Sequence, residues 1–285
     1  MLTKISSKFK ESTVIYEKFN KIFLIGLNRP EKHNALNDEL IENLSEALCS
    51  FNKSDASVAV LYGNGGNFSS GYDISNINDK DDFENIKKLS YIMKKRKGQN
   101  CEDRQNLNNN LNSCLEMRFN TTKPLIAAIT GYAVAAGLEL ALLADMRICD
   151  KGSVMGLFNR RFGLPSIDGI AQRILPRIIN YSRAQDLLIT GRGIKGKEAM
   201  EWGLVNMITV DGTAIGKAMN VAASIAKFPQ DALLLDREVA YNYTFHHGDN
   251  LDDLLSNATI NSEIFKNARK FLAAKKGPSF NIDDL

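Results

Sequence analysis

The sequence predicts an α/β fold. Short apolar strands end in small-residue turns that open helices, and this strand–turn–helix order recurs along the chain. Composition agrees: of 285 residues, 44% are hydrophobic and 24% charged, an ordinary globular mix. A chain of this length buries about three quarters of its unfolded surface and needs no disulfide or metal to hold it together.

Each element follows from its local pattern. Thr13–Glu17 and Lys21–Leu27 read as two strands around a polar turn. NRPEKHNALN (28–37) is a loop rich in turn formers. Residues 38–51 place Leu40, Ile41, Leu44, Ala47, Leu48 and Phe51 on one face, which predicts an amphipathic helix capped by Asn37 or Asp38. VAVLYG (58–63) predicts a strand and GNGGNFSSGYD (63–73) a glycine-rich loop. Residues 74–120, rich in Asn, Asp and Lys, predict a polar, partly helical excursion. Order resumes with the strand Leu125–Ile129, the turn TGYAVAAG and the apolar helix 138–145. Helices are expected over 212–227, 230–243 and 250–273, with a break at Phe228-Pro229. The predicted organisation is a core over 1–211 and a helical C-terminal region over 212–285.

Several function classes recede on counts alone. The net charge of +3 is too small to predict a nucleic-acid partner. Cys49, Cys101, Cys114 and Cys149 lack zinc-ligand spacing and read as free thiols in a reducing compartment. Three histidines, His33, His246 and His247, leave little for a metal site or a histidine-based triad; no metal is expected. No apolar run approaches the roughly 18 residues of a membrane span. The basic start, MLTKISSKFKE, lacks a signal-peptide core and is read as a frayed terminus rather than a presequence stub. The expectation is a soluble intracellular protein of the cytoplasm or mitochondrion.

Some motifs are decoys. GRGIKG (191–196) matches a dinucleotide-binding pattern, but the preceding SRAQDLLIT reads as a helix capped by Ser182, so a helix C-terminal turn is the better account. The basic run Lys94–Lys97 reads as a solvated face.

Two turns carry chemistry. SSGYD (69–73) follows a strand, and AVAAGLEL (133–140) joins a strand to a helix. Small residues let a ligand approach backbone N–H groups, and a helix start presents such groups unpaired. Two N–H groups aimed at one oxygen make an oxyanion hole, where one donor is worth about 3–4 kcal/mol of barrier. Glu139 falls in the first turn of that buried helix. An acid there favours the helix by itself, by about 0.3–1 kcal/mol. Burial among LALLA, however, gives the carboxylate need of a partner or a purpose, and a general acid or base is narrowly the better reading.

LNRPEKHNALN (27–37), GGNFSSGYDI (65–74), KPLIAAITGYAVAAGLELALLADMRI (123–148) and the run from Gly163 to Ile208 together resemble the crotonase, or enoyl-CoA hydratase/isomerase, superfamily, in the family's order. The resemblance implies a core built as a spiral of ββα turns and a C-terminal helical trimerisation region. It implies homotrimers or homohexamers, and acyl-CoA thioester substrates with coenzyme A as part of the substrate and no separate cofactor. Carried over by position, it implies an oxyanion hole from the backbone N–H groups of Ser70 and Ala136. Gly71, Tyr72 and Asp73 would line the CoA segment, Lys32 and Ala35 the adenine side, and Lys275 or Lys276 would meet a CoA phosphate. Glu139 matches the first of the two acids that hydratases of the family use. The second position holds Asn159, which cannot exchange a proton near neutral pH. Asp168 is the replacement the sequence offers, weighed evenly against a turn role before Gly169. Arg160 or Arg161 is read either as a clamp for a substrate carboxylate or as an ion-pair residue. The expected activity is hydration or dehydration of an enoyl-CoA. A double-bond isomerase is the nearest rival, and a non-catalytic scaffold binding acyl-CoA or RNA the other class.

Overall fold

The computed structural model describes residues 12–74, 121–166 and 169–245. The chain opens with an antiparallel hairpin, β1 (Val14–Phe19) and β2 (Ile22–Leu27), and a helix, α1 (Asp38–Lys53). Asn37 is the cap: its side chain accepts the Leu40 N–H. β3 (Val58–Gly63) then pairs parallel with β2.

After the excursion the chain builds repeated units. β4 (Leu125–Ile129), β5 (Tyr132–Val134) and α2 (Ala136–Leu142) form one unit. β6 (Met146–Asp150), β7 (Val154–Gly156) and α3 (Ile170–Ile178) form the next. α4 (Tyr181–Thr190), β8 (Gly193–Lys195), α5 (Gly196–Trp202) and β9 (Met207–Thr209) follow, then α6 (Ala214–Ile225) and α7 (Gln230–Phe245). In both units the first strand joins a six-stranded sheet, ordered β1-β2-β3-β4-β6-β9, and the second joins a three-stranded sheet, β5-β7-β8.

The strands alternate by residue, so two cores share one sheet. Ala59, Leu61, Leu125, Ala127 and Ile129 face the main core with α1 and α2. Val58, Val60, Ile126 and Ala128 face the other way, onto Ala218, Val221 and Ala222 of α6. Burial on both faces is why these parallel strands read as unbroken apolar runs. The first helix beyond residue 211 thus closes the sheet's outer face. Buried Asp150 anchors it: its carboxylate accepts the N–H groups of Gly212 and Ala214 at 2.8 and 3.0 Å.

Two expectations shift. α2 begins at Ala136 rather than 138, because a backbone turn rather than a polar cap starts it. α4 is capped by Asn180, not Ser182. Gly191 closes α4 in the left-handed region (φ 60°), so GRGIKG opens as a helix C-terminal turn. The expected helix over 250–273, the 75–120 excursion with its basic run, Cys101, Cys114, His246, His247, Lys275 and Lys276 lie outside the described residues.

Candidate active site

Residues 69–73 run between two neighbouring segments. On one side Ser69 bridges Ala133 in parallel: the Ser69 N–H donates to the Tyr132 carbonyl at 2.9 Å, and the Val134 N–H to the Ser69 carbonyl at 3.0 Å. On the other side Tyr72 bridges Leu36: the Leu36 N–H donates to the Gly71 carbonyl at 2.7 Å, and the Asp73 N–H to the Leu36 carbonyl at 2.9 Å. Buried Asn34 fastens the neighbouring loops. Its Oδ1 accepts the Arg29 N–H at 2.8 Å, and its Nδ2 donates to the carbonyls of Asn64 and Asn67 at 2.9 and 2.7 Å. His33 and Asn34 are both left-handed, with φ of 50° and 54°, a conformation that Asn and His tolerate better than most residues.

The second turn is held by strain. Ala135 sits at φ 53°, ψ −129°, a region that costs an L residue about 1–3 kcal/mol. Its N–H donates to the Gly156 carbonyl at 2.8 Å. The turn presents Ala136 at the first position of α2, where an N–H has no carbonyl in its own helix to meet. Gly137 packs so closely on Ser69 that a Cβ would stand 2.3 Å from the Ser69 carbonyl oxygen. Gly71, at φ 96°, passes beside the same helix start; a Cβ there would stand 3.2 Å from the Ala136 nitrogen.

One expected donor is corrected. The Ser70 N–H donates to the His33 carbonyl at 3.0 Å, so its single proton is directed away from any ligand. The register explains this. In a parallel bridge the flanking bonds belong to Gly71 and Asp73, so the N–H of Tyr72 points to the side opposite Leu36, where Val134 and Ala136 lie. Tyr72 was placed by the sequence only as a lining residue; its backbone direction depends on pairing that residue types do not report.

Glu139 is 3% exposed, one turn into α2. Its Oε1 accepts the Ala171 N–H at 3.1 Å, which satisfies an otherwise orphaned amide at the start of α3. Asn159 lies in the short 3-10 turn Phe158–Phe162, between β7 and α3. Its Nδ2 donates to the Leu164 carbonyl at 3.2 Å and contacts the Ser166 Oγ at 3.5 Å. Asp168 lies outside the described residues.

The remaining site expectations divide. Asp73 ion-pairs with Arg29 at 2.9 Å, and Arg29 also donates to the Ala35 carbonyl at 2.6 Å. Asp73 therefore ties the two loops together. Lys32 is exposed at the end of the 3-10 turn Pro30–Lys32, whereas Ala35 is buried. Arg160 and Arg161 donate through Nε to the carbonyls of Leu188 and Gly191, and Arg161 lies over the Phe158 ring. These contacts brace α4. A cavity of about 280 Å³ opens at the far end of α2, lined by Leu142, Leu143, Arg173, Ile174, Arg237 and Phe245 among others; neither turn contributes to it. No group of three or more potential metal-ligating side chains occurs among the described residues, and none of their helices is long and apolar enough to cross a membrane.

The family model described as enoyl-CoA hydratase/isomerase matches residues 17–280. The chain belongs to this family. An enoyl-CoA hydratase of Mycobacterium tuberculosis is 31% identical over 213 residues, 74% of each chain. The 2,3-dehydroadipyl-CoA hydratase of Escherichia coli is 30% identical over 230 residues, covering 78% of this chain and 79% of that one. Among solved structures, an enoyl-CoA hydratase of Bacillus anthracis superposes with a TM-score of 0.77 at 25% identity, over 93% of this chain and 97% of that one.

Proposed function

We propose that the protein adds water reversibly across the double bond of an enoyl-CoA thioester. The observation that carries this reading is Glu139: a buried carboxylate one turn from the N–H of Ala136, on a helix whose start is aimed by a strained turn. The thioester oxygen would sit between the N–H groups of Ala136 and Tyr72, which stabilise the enolate as it forms. Glu139 takes one proton from the attacking water. The water oxygen bonds to C3, the π pair moves toward the thioester, and C2 takes a proton from Asp168, assigned here on its sequence position alone. Both carboxyl groups then exchange protons with solvent. The hydratase names of the relatives support the same reading.

The CoA portion is proposed to run along residues 70–73, with Lys32 at its adenine end. A homotrimer or homohexamer belongs to the same proposal. It is supported by the large apolar side chains left exposed beside the 3-10 turn and α4, Phe162, Tyr181 and Ile189. The test is hydration of crotonyl-CoA and a long-chain trans-2-enoyl-CoA, followed by loss of the conjugated thioester absorbance, with mass measured by light scattering. Turnover of either ester that disappears in Glu139→Gln supports the reading. Movement of the double bond without gain of water replaces it with isomerisation.

A further inference from the structure

α7 lies on the rest of the chain without fully burying any of its own side chains. Beneath it is the cavity of about 280 Å³. Leu142, Ile174 and Ile178 line it from α2 and α3, and Tyr241 and Phe245 line it from α7. Native interiors hold few voids larger than a water molecule, and an apolar cavity of about 150 Å³ is already enough to take up a small organic molecule. Polar contacts tether α7 across this space. Arg237 Nε donates to the two Asp145 carboxylate oxygens at 2.9 and 3.0 Å, and Arg177 Nε donates to the Thr244 carbonyl at 3.2 Å.

The charges on the cavity wall do not balance. Arg147, Arg173 and Arg237 stand on it with one carboxylate, Asp145. Asp145 is matched by Arg237. Arg147 is buried and gives its donors to the carbonyls of Ala144 and Leu204, each at 2.8 Å. Arg173, half-buried on α3, makes no hydrogen bond or ion pair through its side chain among the described residues. An apolar pocket therefore carries net positive charge and one guanidinium with its donors open.

We infer that this cavity binds an amphipathic carboxylate, a medium-chain fatty acid anion, with its chain among the apolar side chains and its carboxylate on the Arg173 guanidinium. Apolar walls with one converging polar group suit a ligand that is apolar along its length and charged at one end. The planar guanidinium fork matches a carboxylate with two parallel hydrogen bonds. Neither turn nor Glu139 lines the cavity. The site thus stands apart from the candidate active site, and the inference does not depend on the hydratase reading. A ligand there touches α2, α3 and α7 together, so its binding favours the docked position of α7.

The experiment titrates octanoate into the full chain by calorimetry, with 1-octanol as the neutral probe and thermal melts alongside. The variants are Arg173→Gln and Ala240→Phe; Ala240 is an exposed residue of α7 on the cavity wall, so a larger side chain there fills the space from outside the core. The wild type should bind one octanoate per chain with a Kd of about 0.1 mM or tighter, and saturation should raise the melting temperature by about 2–4 °C. Losing the charge-assisted bond, in Arg173→Gln or with 1-octanol, should weaken binding by about tenfold or more. Ala240→Phe should melt near the wild type and bind no octanoate. Absence of saturable binding to the wild type overturns the inference. So does an octanoate affinity unchanged in Arg173→Gln, unchanged in Ala240→Phe, or equalled by 1-octanol. Octanoate that raises KM for the long-chain enoyl-CoA with kcat unchanged also overturns it, by placing the ligand in the catalytic site; failure of the wild type to hydrate any ester removes the hydratase reading alone.

Discussion

The Ser70 N–H donates to the His33 carbonyl at 3.0 Å. This bond anchors the left-handed His33 and commits Ser70 to the scaffold, leaving the ligand side of the strand segment to the residues after it. Among the described residues, the Ser70 hydroxyl contacts only the Lys32 carbonyl, at 3.5 Å. Ser70→Ala is therefore expected to keep kcat/KM within about twofold. Gly71→Ala is expected to act quite differently. It places a Cβ 3.2 Å from the Ala136 nitrogen, and at a backbone φ of 96°. Blocking one oxyanion donor lowers kcat/KM by about a hundredfold or more. Steady-state kinetics of the pair checks both, and equal losses in the two variants would count against this division.

Glu139 has a structural task and a chemical one, and these separate by substitution. Glu139→Gln keeps an oxygen that can accept the Ala171 N–H. Stability should change by less than about 1 kcal/mol, whereas kcat should fall by about a hundredfold to ten-thousandfold with loss of the base. Glu139→Ala also removes the acceptor from the start of α3, so its melting temperature should fall below that of Glu139→Gln. Equal melting temperatures would show that the Ala171 bond contributes nothing to the fold.

Asp73 pairs with Arg29 at 2.9 Å, with the two side chains 15% and 13% exposed. The pair joins segments far apart in sequence, and one of them, residues 70–73, is the segment proposed to hold CoA. Asp73→Asn weakens a charge-assisted bond worth about 1.5–3 kcal/mol, and Arg29 keeps its bond to Ala35. The expected result is a lower denaturation midpoint and a severalfold higher KM for the CoA ester, with kcat little changed. A fall in kcat alone would place Asp73 in the chemistry instead.

Where residue types dictate local geometry, the sequence is legible. Val58–Gly63 reads as a strand because both its faces are buried, and Asn37 reads as a cap because its short side chain reaches Leu40 N–H. Glu139 was legible as a carboxylate in an otherwise apolar helix. The turn at Ala135 was not, since alanine gives no sign of a positive φ; the strain is imposed by the Gly156 bond and the Ser69 contact of Gly137. The direction of the Ser70 and Tyr72 N–H groups was equally hidden. It depends on a register between residues 36 and 72 that only the assembled chain supplies. Asp73 was not legible as the partner of Arg29, and Arg160 and Arg161 were legible as cations but not as braces for α4.

Cys149 lies on β6 with no exposed surface, and burial, followed by the charge of Asp150, pushes its thiol up to about 12 from 9.0. The thiolate is the reactive form, so the folded protein should resist alkylation there. Iodoacetamide at mildly alkaline pH should label the Cys149 peptide at least about a hundredfold more slowly in the native state than in guanidinium chloride, by mass spectrometry. The same shift links to stability. A thiol whose folded value is raised favours the native state fully below the unfolded value, and that contribution is lost as pH rises from about 9 through about 12. Alkaline unfolding of Cys149→Ala should lack this component and fall less steeply across that window. Native labelling as fast as in the unfolded chain would show that the thiol reaches solvent.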